Sequence, residues 1–186
     1  MPKPTIAVIV GSNRRESINR KYAHALVKLG DWERPGQPVR ASHENWYVEG
    51  CPHHGPGLSI ADGGRYHMAW FSGSPDAAGI FYAYSDDTGS HFSQPLPAGN
   101  PKGNPRHPHV LSSGKDVYLV WLESDGEKNR LKMMRSRDAG ATWQAPSTLA
   151  ESTSEMDSPF LHASRGKVYA SLATKADGVR FMLVDE

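Results

Sequence analysis

The chain has 186 residues, room for one hydrophobic core or for one domain with an appendage. Its 21 basic and 20 acidic side chains nearly cancel, which argues against a nucleic-acid or polyanion binder driven by net charge, and no stretch has the length of a membrane span. The single cysteine, Cys51, permits no internal disulfide, and 18 glycines with 14 prolines give a turn-rich, soluble globular composition.

The first predicted element is a strand over TIAVIV (5–10), a continuously apolar, β-branched run suited to burial on both faces. A loop, GSNRRES, follows, and then a helix in which Ile18, Tyr22, Ala25 and Leu29 share one face before Gly30 closes it. The apolar run is too short for a signal peptide and meets Arg14 and Arg15 at once, so the expected location is cytoplasmic. Strand, Gly-Ser loop and helix form the opening of a doubly wound unit whose helix start can hold a phosphate. The spacing of Gly11, Ser12, Arg14, Ser17 and Asn19 resembles the first βα unit of the flavodoxin-like NADPH-dependent FMN reductases. That resemblance implies Ser12, Arg14, Ser17 and Asn19 as ligands of an FMN phosphate. It covers about thirty residues, no second strand–helix pair follows, and nothing downstream resembles that family's P-E-Y-N stretch. A flavin reductase is therefore the alternative reading, and the main reading takes no cofactor. Residues 31–50 are polar and proline-containing, a linker or blade edge. The abrupt change of style near residue 30 also fits a fusion of two gene fragments.

From Cys51 the hydrophobic period becomes two. RYHMAWF, GIFYAYS, DVYLVWL, RLKMMRS, KVYASLA and VRFMLV are predicted strands separated by glycine, aspartate and asparagine turns. Shifting the chain on itself by about fifty-one residues aligns Pro56, Pro108 and Pro159, then His67, Tyr118 and Tyr169, then Trp70, Trp121 and Leu172. Ser85 falls on Ser136. Each copy holds four strands, and four-stranded antiparallel units at this period are blades of a β-propeller. The predicted fold is mostly β: about three blades, 51–100, 101–152 and 153–186, preceded by a short flavodoxin-like βα unit.

Two turns recur in register, SDDTGSHF (85–92) and SRDAGATW (136–143). Each joins the third strand of its blade to the fourth. Asp87 and Asp138 are placed to accept hydrogen bonds from their own loops, while Gly89 and Gly140 supply positive φ. Phe92 and Trp143 are expected to fold back over their hairpins. With Ser85 and Ser136, these residues resemble the Asp-box, or bacterial-neuraminidase repeat, of sialidases. The turns are accordingly expected to be structural, with no catalytic part for either aspartate. CPHHGP followed by YHMAWF and the first turn extends the resemblance to sialidase-like, exo-α-sialidase proteins over residues 45–186.

In a propeller the innermost strands line the axis and ligands enter at one mouth. The candidate segments are CPHHGP, NPRHPH and EMDSP, which carry His53 and His54, Arg106 with His107 and His109, and Glu155 with Asp157. Sialidases hold a carboxylated sugar with arginines, protonate the leaving oxygen with a carboxylic acid and attack with a tyrosine. The resemblance implies Arg106 as carboxylate clamp, Asp157 as acid, and His53, His54, His107 and Arg180 as substrate contacts. Arg106 equally suits a plain ion pair, and His53 and His54 equally suit strand capping. No tyrosine–glutamate pair is assignable and no histidine cluster has metal-ligand spacing. The implied function is a sialidase-like, carbohydrate-binding segment, a glycoside hydrolase if its machinery is complete.

Three blades do not close a ring. Each free face would leave ~400 Å² of apolar surface, about 10 kcal/mol at ~25 cal/mol/Å². A homodimer of six blades is one expected way to cover it.

Overall fold

The computed structural model describes Ala41, Ser42, Trp46 and residues 55–184. The flavodoxin-like unit with Ser12, Arg14, Ser17 and Asn19, and the sugar-site candidates His53 and His54, lie outside the described residues. The described part is mostly β, in three antiparallel sheets. The first holds β1 (Gly57–Ile60), β2 (Tyr66–Ser74), β3 (Ala77–Ser85) and β4 (Leu96–Ala98) in sequential order. The second holds β5 (Arg106–Ser113), β6 (Asp116–Ser124), β7 (Asn129–Ser136) and β8 (Ser147–Ser152). The third has β9 (Phe160–Ser164), β10 (Lys167–Thr174) and β11 (Gly178–Leu183). Three such sheets are consistent with a partial propeller.

Local chemistry sets the hairpins. Ser113 pairs with Asp116, leaving Gly114 and Lys115 as the loop, with Gly114 at φ 61°. Ser164 pairs with Lys167 around Arg165 (φ 52°) and Gly166 (φ 73°), the two positive values of a turn whose twist matches the strands it joins.

Sheet two is packed on both faces. On β6, Val117, Leu119 and Trp121 point toward sheet one, where they meet Ala69, Ile80 and Tyr82. The intervening Tyr118, Val120 and Leu122 join Leu161, Val168, Ala170 and Leu172 of sheet three. All six β6 residues are buried. This is why VYLVWL reads as an unbroken apolar run where a half-exposed strand would alternate. Trp121 Nε1 donates to Glu123 Oε1 at 2.8 Å, so its one polar group is satisfied inside the core.

The two outward faces differ, which corrects the expectation of two bare ones. Met68, Trp70 and Ala83, on the side of sheet one turned away from sheet two, are buried. On sheet three, Val179 and Phe181 are 69% and 67% exposed. They lie opposite Ala173 and Ser171 in the register, on the face turned away from sheet two.

Packing of this kind predicts unequal costs for truncation. Leu119→Ala should lower the unfolding free energy by about 2–5 kcal/mol. Phe181→Ala should change it by less than about 1 kcal/mol. Urea denaturation of the two variants beside the parent chain measures both.

Candidate functional site

The first strands of the three sheets run beside one another, β1 against β5 and β5 against β9. Side chains stitch these seams. Ser59 Oγ accepts from the Ser112 N–H at 2.9 Å, and His109 Nδ1 accepts from the Leu161 N–H at 3.2 Å. Gly57 lets β1 lie close to β5, where a Cβ would stand a tight 3.2 Å from Val110 N.

Where these strands begin, residues 55–57, 107–109 and 158–160 enclose a pocket of about 240 Å³. Pro56, Pro108 and Pro159, the repeat-related prolines, all line it. β5 enters through a bulge between Arg106 and His109 in which His107 has φ 53°. A non-glycine residue in the left-handed region costs of order 1–3 kcal/mol, a cost that here accompanies the bulge at the start of β5. His107 Nδ1 lies 3.1 Å from Ser158 Oγ, joining two of the three segments. Phe160 is half exposed and stands edge-to-face with His109, centroids 5.3 Å apart.

Of the residues singled out from the sequence, His107 and His109 line this pocket, while Arg106, Asp157 and Arg180 are placed elsewhere. Arg106 reaches outward over its own sheet, where Nη2 donates to Asn129 Oδ1 of β7 at 2.7 Å. Asp157 is exposed, and its Oδ1 accepts from the Ser158 N–H at 2.7 Å. Arg180 belongs to the outermost strand of sheet three, 3.8 Å from Asp177. It pairs with Leu172 as Lys132 pairs with Trp121, so Lys132 is its counterpart on the preceding sheet. Ser158 and Phe160 are the additions. Their signal was the repeat, since Gly57, His109 and Phe160 each follow a repeat proline.

The two aspartate turns share one geometry. Ser85 Oγ donates to Asp87 Oδ1 at 2.7 Å and accepts from the Gly89 N–H at 2.9 Å. Ser136, Asp138 and Gly140 repeat this at 2.8 and 2.8 Å. Asp87 Oδ1 accepts from the His91 N–H, and Asp138 Oδ1 from the Thr142 N–H, each at 2.8 Å. Thr88 and Ala139 join Gly89 and Gly140 at positive φ, so each turn holds two consecutive left-handed residues. The donors hold both carboxyls low, Asp138 at about 2 through Thr142 first, and Asp87 lower still through His91. Trp143 folds back on its own turn as expected, Nε1 donating to Gly140 O at 3.2 Å, and it also reaches beyond its sheet. It packs edge-on against Tyr82 of the preceding sheet, centroids 4.7 Å apart. A Cβ on Gly140 would collide with the Tyr82 hydroxyl. Arg65, bidentate on Asp86 at 2.6 and 2.8 Å, donates through Nη1 to Ala139 O at 2.9 Å. The second turn therefore locks sheet two to sheet one.

Beneath that lock, buried His67 lies with Nδ1 2.7 Å from Tyr82 Oη, while its Nε2 meets no partner among the described residues. Burial first, then the charge of Arg65, push His67 down to about 4. His109 is lowered too, by burial and then by His162. Among the described residues no group of acidic, histidine or cysteine side chains could hold a metal, and no helix is long and apolar enough to cross a membrane.

No family model matches the chain, and no curated protein sequence matches it. Solved structures do. An α-L-arabinanase from Penicillium chrysogenum, complexed with arabinobiose, superposes with a TM-score of 0.60 at 17% identity, over 76% of this chain and 48% of its own. An α-L-arabinofuranosidase from Fusarium graminearum gives 0.57 at 17% identity, over 78% and 47%. A Hadza microbial sialidase gives 0.50 at 14% identity, over 72% and 32%. The chain thus spans about half the length of the first two and a third of the last. At these identities the likeness establishes a shared β-propeller fold.

The buried histidine gives a pH test. His67 binds a proton near 6.5 when unfolded and only near 4 when folded, so its contribution is complete above pH 6.5 and is lost as pH falls toward 4. Its size is about 3 kcal/mol. The turn aspartates stay ionised throughout that window. Thermal melts should show stability falling from pH 7 to pH 4.5, and His67→Phe, though less stable at pH 7, should show a flatter profile.

Proposed function

We propose that this chain is a carbohydrate-binding propeller segment of the glycoside-hydrolase kind, with sialidase-like Asp-box turns and its ligand end at the mouth where β1, β5 and β9 begin. The observation that carries the reading is convergence. Three segments that occupy the same position in successive repeats close on one pocket, one of them through a bulge and a left-handed histidine. Ligand sites collect at such points because loops are shaped there while the strands behind them stay rigid. The fold likeness to sugar-cleaving enzymes points the same way.

Binding without hydrolysis is the form of the proposal. Hydrolysis needs two groups flanking the scissile bond, usually a pair of carboxyls. Asp157 is spent on the Ser158 N–H, Arg106 on Asn129, and neither lines the pocket. Closing a six-bladed ring from two copies would require sheet three of one copy to dock on the outward face of sheet one in the other. The burial of Met68 and Trp70 on that face argues against this, and we propose that the chain binds sugar without ring closure.

The test is a glycan-binding panel of arabino-oligosaccharides, other neutral glycans and sialosides, run beside fluorogenic arabinoside and sialoside substrates. Saturable binding to at least one glycan, with no release of fluorophore above the buffer rate, is the expected result. Binding to none of them would remove the carbohydrate reading, and sustained turnover would remove its non-hydrolytic form.

A further inference from the structure

The pocket at the mouth carries more information than its position. Its described lining contains prolines, glycines, two imidazoles, a serine and a phenylalanine, with no arginine, lysine or carboxylate among them. The guanidinium next to the lining in sequence, that of Arg106, is drawn away to Asn129, two strands out from the axis. His109 adds a directional donor. Because Nδ1 accepts the Leu161 N–H, the imidazole is neutral and its proton is on Nε2. Phe160 adds a flat apolar surface, half exposed and braced edge-on by that same ring.

We infer that the mouth takes one neutral sugar ring, stacked by its C–H face on Phe160 and oriented by the His109 Nε2–H, and that it rejects sugars bearing a carboxylate. Three physical arguments lead there. A pocket of about 240 Å³ falls below the roughly 300–1,000 Å³ usual for drug-sized ligands, which suits a single ring over an extended oligosaccharide. An aromatic face beside a few fixed polar groups matches a sugar, which is apolar on its ring faces and polar at its edge. A carboxylate entering here would shed part of its water without meeting a cation among the described residues, and a charge that is desolvated and unpaired is costly to bind. The sialidase-like turns lie at the far end of the strands, the second of them at a seam between sheets, and carry no sialoside preference to the mouth.

This inference rests on the carbohydrate reading, and the experiment separates the two. Isothermal titration of the full chain would compare methyl α-L-arabinofuranoside, methyl α-D-glucopyranoside, the methyl glycoside of N-acetylneuraminic acid, and the methyl ester of that last compound. The ester and acid differ in little but the charge. At least one neutral glycoside should bind, and the ester should bind at least about tenfold more tightly than the acid, the ratio expected when a carboxylate goes unpaired. Phe160→Ala should weaken the neutral ligand about five- to fiftyfold with an unchanged melting temperature, and Phe160→Tyr should restore it. Acid binding as tightly as ester would overturn the inference and leave the carbohydrate reading standing. An unchanged affinity in Phe160→Ala would overturn the stacking assignment. If none of the four compounds binds, while the glycan panel does detect a ligand, the single-ring assignment fails; if neither detects any, the carbohydrate reading falls with it.

Discussion

Everything in this molecule is referred to one strand with two dry faces. β6 places Val117, Leu119 and Trp121 against one sheet and Tyr118, Val120 and Leu122 against another. Neither neighbour can move without opening a cavity on one of its sides, and cavities in a close-packed interior are expensive. The charged residues of that strand stand at its two ends, Asp116 accepting from Arg135 Nη2 at 2.6 Å, and Glu123 accepting from Trp121 Nε1 and from the Asn100 N–H, each at 2.8 Å. With β6 fixed, β5 is held between β1 and β9, and the starts of all three strands are brought to one point. The mouth follows from the packing of the sheets.

The aspartate turns contribute from the opposite end of the strands. Each is a self-contained hydrogen-bonded unit whose carboxylate is consumed by its own loop, so it carries rigidity and no chemistry. Rigidity matters because the second turn is also a contact between sheets. Arg65, Tyr82 and the bare Cα of Gly140 meet there, and a side chain on that glycine would force the sheets apart. Seam serines and His109 perform the same service near the axis. His109 connects the two roles, since the bond that ties β5 to β9 is also the bond that fixes which of its nitrogens carries a proton.

Much of the fold was legible in the chain. Strand alternation located the hairpins because residue i and residue i+2 share a face, and the unbroken run VYLVWL marked the strand with two partners. The turns were legible because serine, aspartate and glycine satisfy one another within a few residues. What depends on distant residues was not. Trp143 does cover its own hairpin, where Nε1 meets Gly140 O, but its second partner, Tyr82, is in another sheet. Arg106 looked like a ligand clamp because it precedes the pocket in sequence, yet the bulge after it turns its guanidinium over the sheet. Arg180 looked like a substrate contact, yet it stands on the outermost strand of its sheet, across from Leu172 as Lys132 is across from Trp121. His109 and Phe160 were visible as repeat positions, but their meeting at the mouth needs the tertiary structure.

The claim at the centre of this account is that three repeat-related strand starts form one sugar-binding mouth. Chemical-shift mapping of backbone amides during titration with a neutral glycoside that binds tests it most directly. The account predicts shifts that saturate together at the amides of Gly55, Gly57, His107, His109, Ser158 and Phe160. Shifts confined to the outer rim around Lys128, Glu151 and Thr153, with the three strand starts unmoved, would contradict it.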